Sequence, residues 1–278
     1  MIAAMQRGKG RIGFAATMGA LHDGHVAVIR AASAQSDRLV ASLFVNPAQF
    51  QDSDRFVNYP RTIDRDMEIF EREGVQIVWT PPVEEVYPEG FGTYVEPGPV
   101  SHRLEGQVRP GHFRGVATVV AKMFNVIRPN ITAFGQKDWQ QTRVVNALIQ
   151  DLDFDIEMLV VPTVRSDSGL ALSSRNERLS DDQSRAAAAL YAGLKGAADA
   201  YLSGERDAQM LRSQIQTVLS AENLCQIEYV SVAHALTLDE LDLATDPLVM
   251  SCAASVGSVH LIDNIVFGID LYGVGEPA

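Results

Sequence analysis

Five short apolar runs separated by stretches of helical periodicity leave this chain few folds to choose from. The runs are residues 11–16, 39–45, 75–79, 131–134 and 156–161. They are continuous rather than alternating, as expected of strands covered on both faces. Between them, Val26, Ile29 and Ala32 mark a helix over 26–34, and Ile63, Met67 and Phe70 mark the apolar face of one over 61–73. Thr62 is placed to cap that second helix, Asp64 and Asp66 suit its positive end, and Gly74 stops it. Val116, Val119, Val120, Met123 and Ile127 predict a helix over 115–127, and another follows over 139–150. The expectation is an α/β chain with a parallel sheet of Rossmann type in residues 1–163. The remainder, 164–278, reads as a smaller α+β domain. In it, Ser180-Asp181 opens an alanine-rich helix to about Leu202, a second covers 208–219, and strands follow at 227–232, 248–253 and 265–269. Residues 2–5 read as a helical turn, and 83–113, rich in Pro and Gly, as a long loop of functional interest.

Composition narrows the function classes. The 23 basic and 35 acidic residues give a net charge of −12, which argues against a general nucleic-acid binder but leaves room for a small anion held by a few local cations. Cys225 and Cys252 have no CxxC partner, so neither a zinc site nor a disulfide framework is indicated. They read as small apolar fillers in a reducing compartment. No apolar run reaches the roughly 18–20 residues that span a bilayer, and residues 1–11 lack the apolar core of a signal peptide. The expectation is a cytoplasmic protein without a membrane partner.

Three motifs carry chemistry. Thr17-Met18-Gly19-Ala20-Leu21-His22-Asp23-Gly24-His25 joins the first strand to the first helix. Unpaired backbone N–H groups at a helix start attract anions, and two histidines can donate to the same anion, so the turn reads as a phosphate site. A zinc reading is weaker, because the histidines are three apart and no carboxylate motif accompanies them. Phe134-Gly135-Gln136-Lys137-Asp138 is a second strand-to-helix turn. In a parallel sheet, both turns belong at the carboxyl edge where ligands bind. Lys137 would serve phosphate and Asp138 ribose, or the two form a solvated surface pair. Leu172-Ser173-Ser174-Arg175-Asn176 offers hydroxyls and a guanidinium to a phosphate chain, or is a serine-rich helix cap. Gln49 and Gln141 are neutral amides suited to a small polar substrate, or to capping loops. Arg109-Pro110-Gly111-His112-Phe113-Arg114 is a basic cluster placed to guard an anionic site.

Taken in order, these stretches, with Phe44-Val45-Asn46-Pro47-Ala48-Gln49-Phe50, Tyr59-Pro60-Arg61-Thr62, Gly169-Leu170-Ala171 and Leu261-Ile262-Asp263-Asn264, resemble the pantothenate synthetase family over nearly the whole chain. The histidine pair alone marks only the wider superfamily of HxGH nucleotidyltransferases and class I aminoacyl-tRNA synthetases. The resemblance implies a C-terminal lid, a homodimer, and a reaction in which ATP, pantoate and β-alanine give pantothenate, AMP and pyrophosphate with Mg²⁺. It also implies that Met18, Gly19, Ala20, Leu21, His22, Asp23, Gly24 and His25 lie along ATP, with His25 as proton donor. Gly135, Gln136, Lys137, Asp138, Val164, Leu172, Ser173, Ser174 and Arg175 would complete the nucleotide site. His22, His25, Lys137 and Arg175 would stabilise phosphate charge, Gln49 and Gln141 would hold pantoate and β-alanine, and Asp66 would contact the metal. The chain departs from the family at Ala16, where proline is usual, at Arg65, where an acid is frequent, and in a short N-terminus that predicts a missing edge strand or an upstream start. Two further readings stay open: a related HxGH enzyme that activates another acid, and a degenerate nucleotide binder without turnover.

Overall fold

A computed structural model describes residues 10–50 and 56–273; the helical turn expected at residues 2–5 lies outside them. The described chain divides into two compact units, and neither is continuous in sequence. One runs through Gly135, resumes over Gln140–Pro162 and takes the C-terminal residues from Leu271; the other holds Gln136–Trp139 and Thr163–Asp270. A single cut after residue 163 leaves out both exchanges. Tyr272 shows why the last of them occurs, since its N–H donates to Val160 O at 2.9 Å and ties the C-terminal segment to the first unit.

The first unit is built on a parallel sheet of β1 (Ile12–Thr17), β2 (Arg38–Leu43), β3 (Ile77–Trp79), β4 (Ile131–Gly135) and β5 (Glu157–Val161), in the order β3-β2-β1-β4-β5. Neighbouring residues of one strand face opposite cores. Phe14, Val40 and Phe134 pack with Val116, Val120, Phe124, Val145 and Ile149 of α5 (His112–Ile127) and α6 (Trp139–Asp151). Ala15, Leu39, Ala41 and Ala133 pack with Val26, Ile29, Ile69 and Phe70 of α1 (Asp23–Ala34) and α2 (Ile63–Arg72). This two-sided covering is what the continuous apolar runs predict. The strand order reverses beside β1, because the chain lays β2 and β3 on one side and then returns to add β4 on the other. In such sheets, the carboxyl ends of the two strands at the reversal mark the ligand crevice. They are Thr17 and Gly135.

Five local expectations need correction. α1 begins at Asp23 rather than Val26, because the histidines cap it. α2 buries Asp66, Ile69 and Phe70, whereas Ile63 and Met67 are exposed, 54% and 42%; a carboxylate on the buried face defeats the apolar pattern. Thr62 makes no side-chain cap bond to α2. The stretch 83–113 is folded, with α3 (Val83–Val86), a 3₁₀ turn at Pro99–His102 and α4 (Glu105–Val108), and α5 starts three residues earlier than its apolar pattern, at His112.

The second unit pairs α7 (Asp181–Leu202) and α8 (Ala208–Ser220) with an antiparallel sheet, β6 (Cys225–His234), β7 (Leu248–Val256) and β8 (Val259–Phe267). Leu190, Leu194, Leu211, Ile215 and Leu219 pack on Val232, Met250, Cys252 and Leu261. Ser180 and Gln183 close a capping box at the predicted start of α7. Burial raises the thiol pKa of both cysteines, and Cys252 is fully buried, as apolar fillers would be. Among the described residues, no helix is long and apolar enough to cross a membrane.

Candidate active site

The turn after β1 is organised by hydrogen bonds inside the protein. Gly19 and Ala20 both take positive φ, +87° and +52°. Their conformation turns successive amides toward the buried Asp66, whose Oδ2 accepts from Ala20 N and Oδ1 from Leu21 N, each at 2.9 Å. Thr62 Oγ1 also donates to Oδ2, at 3.1 Å. A Cβ on Gly19 would stand 3.0 Å from that oxygen, so the carboxylate rests against a bare Cα.

The two histidines then cap α1 reciprocally. His22 Nδ1 accepts from Gly24 N at 3.1 Å, and His25 Nδ1 accepts from His22 N at 3.3 Å, with the ring centroids 4.1 Å apart. A neutral ring whose Nδ1 accepts an N–H carries its own proton on Nε2. Both rings are therefore Nε2–H donors. His25 N and Val26 N donate to His22 O. The expectation that the amides of this turn cradle an anion is narrowed, because those of Ala20, Leu21, His22, Gly24, His25 and Val26 are bonded within the protein. The two imidazole rings add side-chain N–H groups to the donors of the turn.

Gln49 sits beside this turn in the same unit. It is buried, its Nε2 donates to Met18 Sδ, and its Oε1 accepts from Asn46 Nδ2 at 3.2 Å. Asn46 also donates to Gly115 O at 3.1 Å and accepts from Tyr87 Oη at 2.7 Å; burial raises the Tyr87 pKa and keeps that hydroxyl a donor. Gly115 allows the contact, since a Cβ there would lie 2.2 Å from Ala48 O. The basic cluster folds inward onto the same segment. His112 Nδ1 lies 3.0 Å from Gln49 O and Arg109 3.4 Å from it, while another Arg109 nitrogen lies 3.4 Å from His112 Nε2. A carbonyl only accepts and a guanidinium only donates, so His112 has the opposite tautomer, with its proton on Nδ1. Arg114 stacks on Tyr94 at 3.9 Å and pairs with Glu96 at 3.3 Å.

Gln141 is half-buried on α6. Its neighbour Gln140, which the sequence reading passes over, is buried and donates to Val100 O and Arg103 O, both at 2.7 Å, while accepting from Glu105 N. It pins the middle of the 83–113 stretch. Nothing local marks it, because all its partners lie more than thirty residues away.

The second unit holds the other predicted residues. After Gly135 ends β4, Gln136–Asp138 form a 3₁₀ turn. Asn264 of β8 donates from Nδ2 to Gln136 O at 3.0 Å and Lys137 O at 2.9 Å, and accepts from Gln136 Nε2. The Lys137 ammonium lies 3.7 Å from the Asp138 carboxylate, which is the ion pair weighed against a ligand role. Val164 and Leu172 are joined, since Leu172 N donates to Val164 O at 2.9 Å. Between them Arg165 forms a bidentate pair with buried Asp263 at 2.5 and 2.9 Å, bonds Gly169 O and stacks on Tyr191. Ser173 Oγ accepts from Arg175 N, which starts the 3₁₀ turn Ser174–Arg178, and Arg175 donates to His260 O at 3.3 Å. The serine motif is therefore a cap in this structure, and the guanidinium is held beside β8.

The structure turns Asp66 away from solvent, whereas the family resemblance would have it contact a metal. Asp66 is 0% exposed, and both its oxygens accept N–H or O–H groups of the protein, whereas a Mg²⁺ ligand needs an oxygen open to the ion. Among the described residues there is no group of three or more His, Cys, Asp or Glu suited to a metal. Arg65, where the family resemblance leads one to look for a second acid, is exposed.

Known proteins share this framework. Residues 1–266 match the family model described as pantoate-beta-alanine ligase. The chain is 49% identical over 254 residues to a pantothenate synthetase of Chloroflexus aurantiacus, covering 91% of this chain and 90% of that one. It is 44% identical over 264 residues to a pantothenate synthetase of Thermotoga petrophila, covering 95% and 94%. The crystal structure of pantothenate synthetase from Thermus thermophilus superposes with a TM-score of 0.91 at 38% identity, over 95% of this chain and 97% of that one. Pantoate-beta-alanine ligase from Francisella tularensis, complexed with beta-gamma ATP and beta-alanine, gives 0.78 at 30% identity, over 95% and 94%.

Proposed function

The chain belongs to the pantoate–β-alanine ligase family, and we propose that it catalyses the ATP-dependent condensation of pantoate with β-alanine. The pantoate carboxylate attacks the α-phosphorus of ATP, forming a P–O bond as pyrophosphate leaves. The amine of β-alanine then attacks the acyl carbon of the pantoyl adenylate, forming the amide, expelling AMP and losing a proton.

The observation that carries this reading is the pair of histidines capping α1 at the carboxyl end of β1, both with Nε2–H donors. Negative charge moves onto the β- and γ-phosphates as pyrophosphate departs, and donors fixed in advance stabilise it without reorganising. We assign His22 and His25 to that charge, with Met18–His25 along the nucleotide. We assign Gly135–Asp138, Val164 and Leu172–Arg175 to nucleotide binding, with Lys137 and Arg175 as its cations. Burial holds Gln49 in one orientation, which suits a neutral amide that reads pantoate; Gln141 takes the same role. Holding carboxylate and phosphorus in line supplies much of the remaining acceleration. Mg²⁺ is assigned to the phosphates of ATP, whose oxygens are the ligands such an ion takes alongside water. A homodimer in the cytoplasm remains part of the proposal. Degeneracy to a nucleotide binder is not favoured, because each residue assigned to charge is present.

The test is a three-substrate assay on purified protein with Mg²⁺. AMP and pantothenate should form in equal amounts, and omitting pantoate should abolish both. AMP release that ignores pantoate would point to another acid, and no AMP at all would defeat the proposal.

A further inference from the structure

We propose that Asp66 is a positioning residue for the nucleotide turn: from inside the protein it fills the anion cradle of Gly19–Leu21, which commits the imidazole N–H groups of His22 and His25 to the ligand. The inference rests on the ligase reading of the same site.

Three independent features meet at this carboxylate. The backbone takes positive φ at Gly19 and again at Ala20, a conformation that an alanine adopts only when its surroundings enforce it. Successive N–H groups aimed into one concavity bind an anion, and here the anion is supplied by α2, with an amide nitrogen 2.9 Å from each oxygen. The carboxylate is 0% exposed and has Thr62 Oγ1 as a further donor, so its geometry is closed on every side the described residues provide. A phosphate approaching from solvent therefore meets the next residues instead. His22 follows Leu21 directly, and its extended backbone, φ −139°, fixes where the α1 cap begins. The chain thus runs from Asp66 through Leu21 to the two rings with few soft torsions between.

Two consequences separate this role from others. Loosening the turn misplaces donors that act on the developing charge, so kcat falls while ATP binding survives. An ion held on the ATP phosphates does not depend on Asp66, so the Mg²⁺ requirement stays where it was.

The test compares wild-type enzyme with Asp66→Asn, which keeps the shape and turns one acceptor oxygen into an NH₂ donor. The expected result is a kcat lower by about 10- to 100-fold, a KM for ATP within about threefold of wild type and an unchanged Mg²⁺ concentration for half-maximal rate. A variant that needs more Mg²⁺ and recovers with it would make Asp66 a metal ligand and overturn the proposal. A variant that melts earlier but turns over normally below its Tm would make the residue merely structural and also overturn it. Should Asp66→Asn not fold, Thr62→Val removes only the hydroxyl donor and is expected to lower kcat several-fold at unchanged KM; no change would count against the proposal. Amide hydrogen exchange in the wild type needs no activity: Ala20 and Leu21 should exchange slowly, and rapid exchange at both would contradict the geometry. Wild-type AMP formation decides the ligase reading separately, so the two ideas fail in different experiments.

Discussion

The turn after β1 and the turn after β4 do similar jobs with opposite chemistry. Each follows a parallel strand and leads into a helix, and each is held by one polar side chain from a distant segment. After β1, the backbone presents N–H groups, and the clamp is the acceptor Asp66. After β4, the backbone presents the carbonyls of Gln136 and Lys137, and the clamp is the donor Asn264. A buried backbone group without a partner costs as much as a lost hydrogen bond, so the polarity a turn exposes dictates the residue that can hold it. Asp and Asn have the same shape. They differ in whether they can donate, and each turn accepts only one of them.

Exchanges that break this match should hurt in proportion to how near they come to the reacting phosphate. His25→Ala removes a donor outright, and kcat is expected to fall about 10²- to 10³-fold, with ATP binding still measurable by calorimetry; full rate would remove His25 from the mechanism. Asp66→Asn, the exchange of an acceptor for a donor, comes next, with kcat down about 10- to 100-fold. Asn264→Asp is its mirror image. It sets a carboxylate against two carbonyls and should destabilise the second unit by about 1–3 kcal/mol for each unpaired oxygen, read as a lower Tm together with a raised KM for ATP. An unchanged Tm would deny that Asn264 is the clamp. Gln140→Ala frees Val100, Arg103 and Glu105 from their common partner, and a loss of about 1–2 kcal/mol is expected, checked by denaturant titration. Cys225→Ser should do least, leaving the rate within about twofold of wild type, because the site draws on neither thiol and surface-side changes are small.

Much of this architecture is legible in the chain itself. The five strands are readable because each is a short, mostly apolar run without strict alternation, and β1, β2 and β5 start within a residue of their expected places. The motif residues of both turns are readable because glycine together with histidine or lysine at a strand-to-helix junction suits an anion. Their clamps are not. Asp66 is 46 residues from Ala20, and Asn264 is 128 from Gln136, and no local pattern couples such positions. Asp66 does lie in the first turn of α2, as expected, and its metal role comes from the family resemblance alone. Its burial is not legible, because an acid on an amphipathic helix looks solvent-facing. The phase of α2 goes wrong with it, leaving Ile63 and Met67 expected inside although they are outside. β8 is expected six residues late, because its alternation of Leu261, Asp263 and Ile265 includes a buried acid that only the pairing with Arg165 makes tolerable.

Everything assigned to the first turn depends on which nitrogen of each ring holds the proton. The ¹⁵N imidazole spectrum of ligand-free protein at about pH 7.5, where an ordinary imidazole is neutral, reads this directly once assigned with His22→Gln and His25→Gln variants. Both rings are expected as neutral Nε2–H tautomers with Nδ1 accepting, in contrast to the Nδ1–H form of His112, and addition of a non-hydrolysable ATP analogue should move the Nε2 signals of His22 and His25 alone. Nδ1–H signals for those two rings, or Nε2 resonances that ignore the nucleotide, would contradict the account.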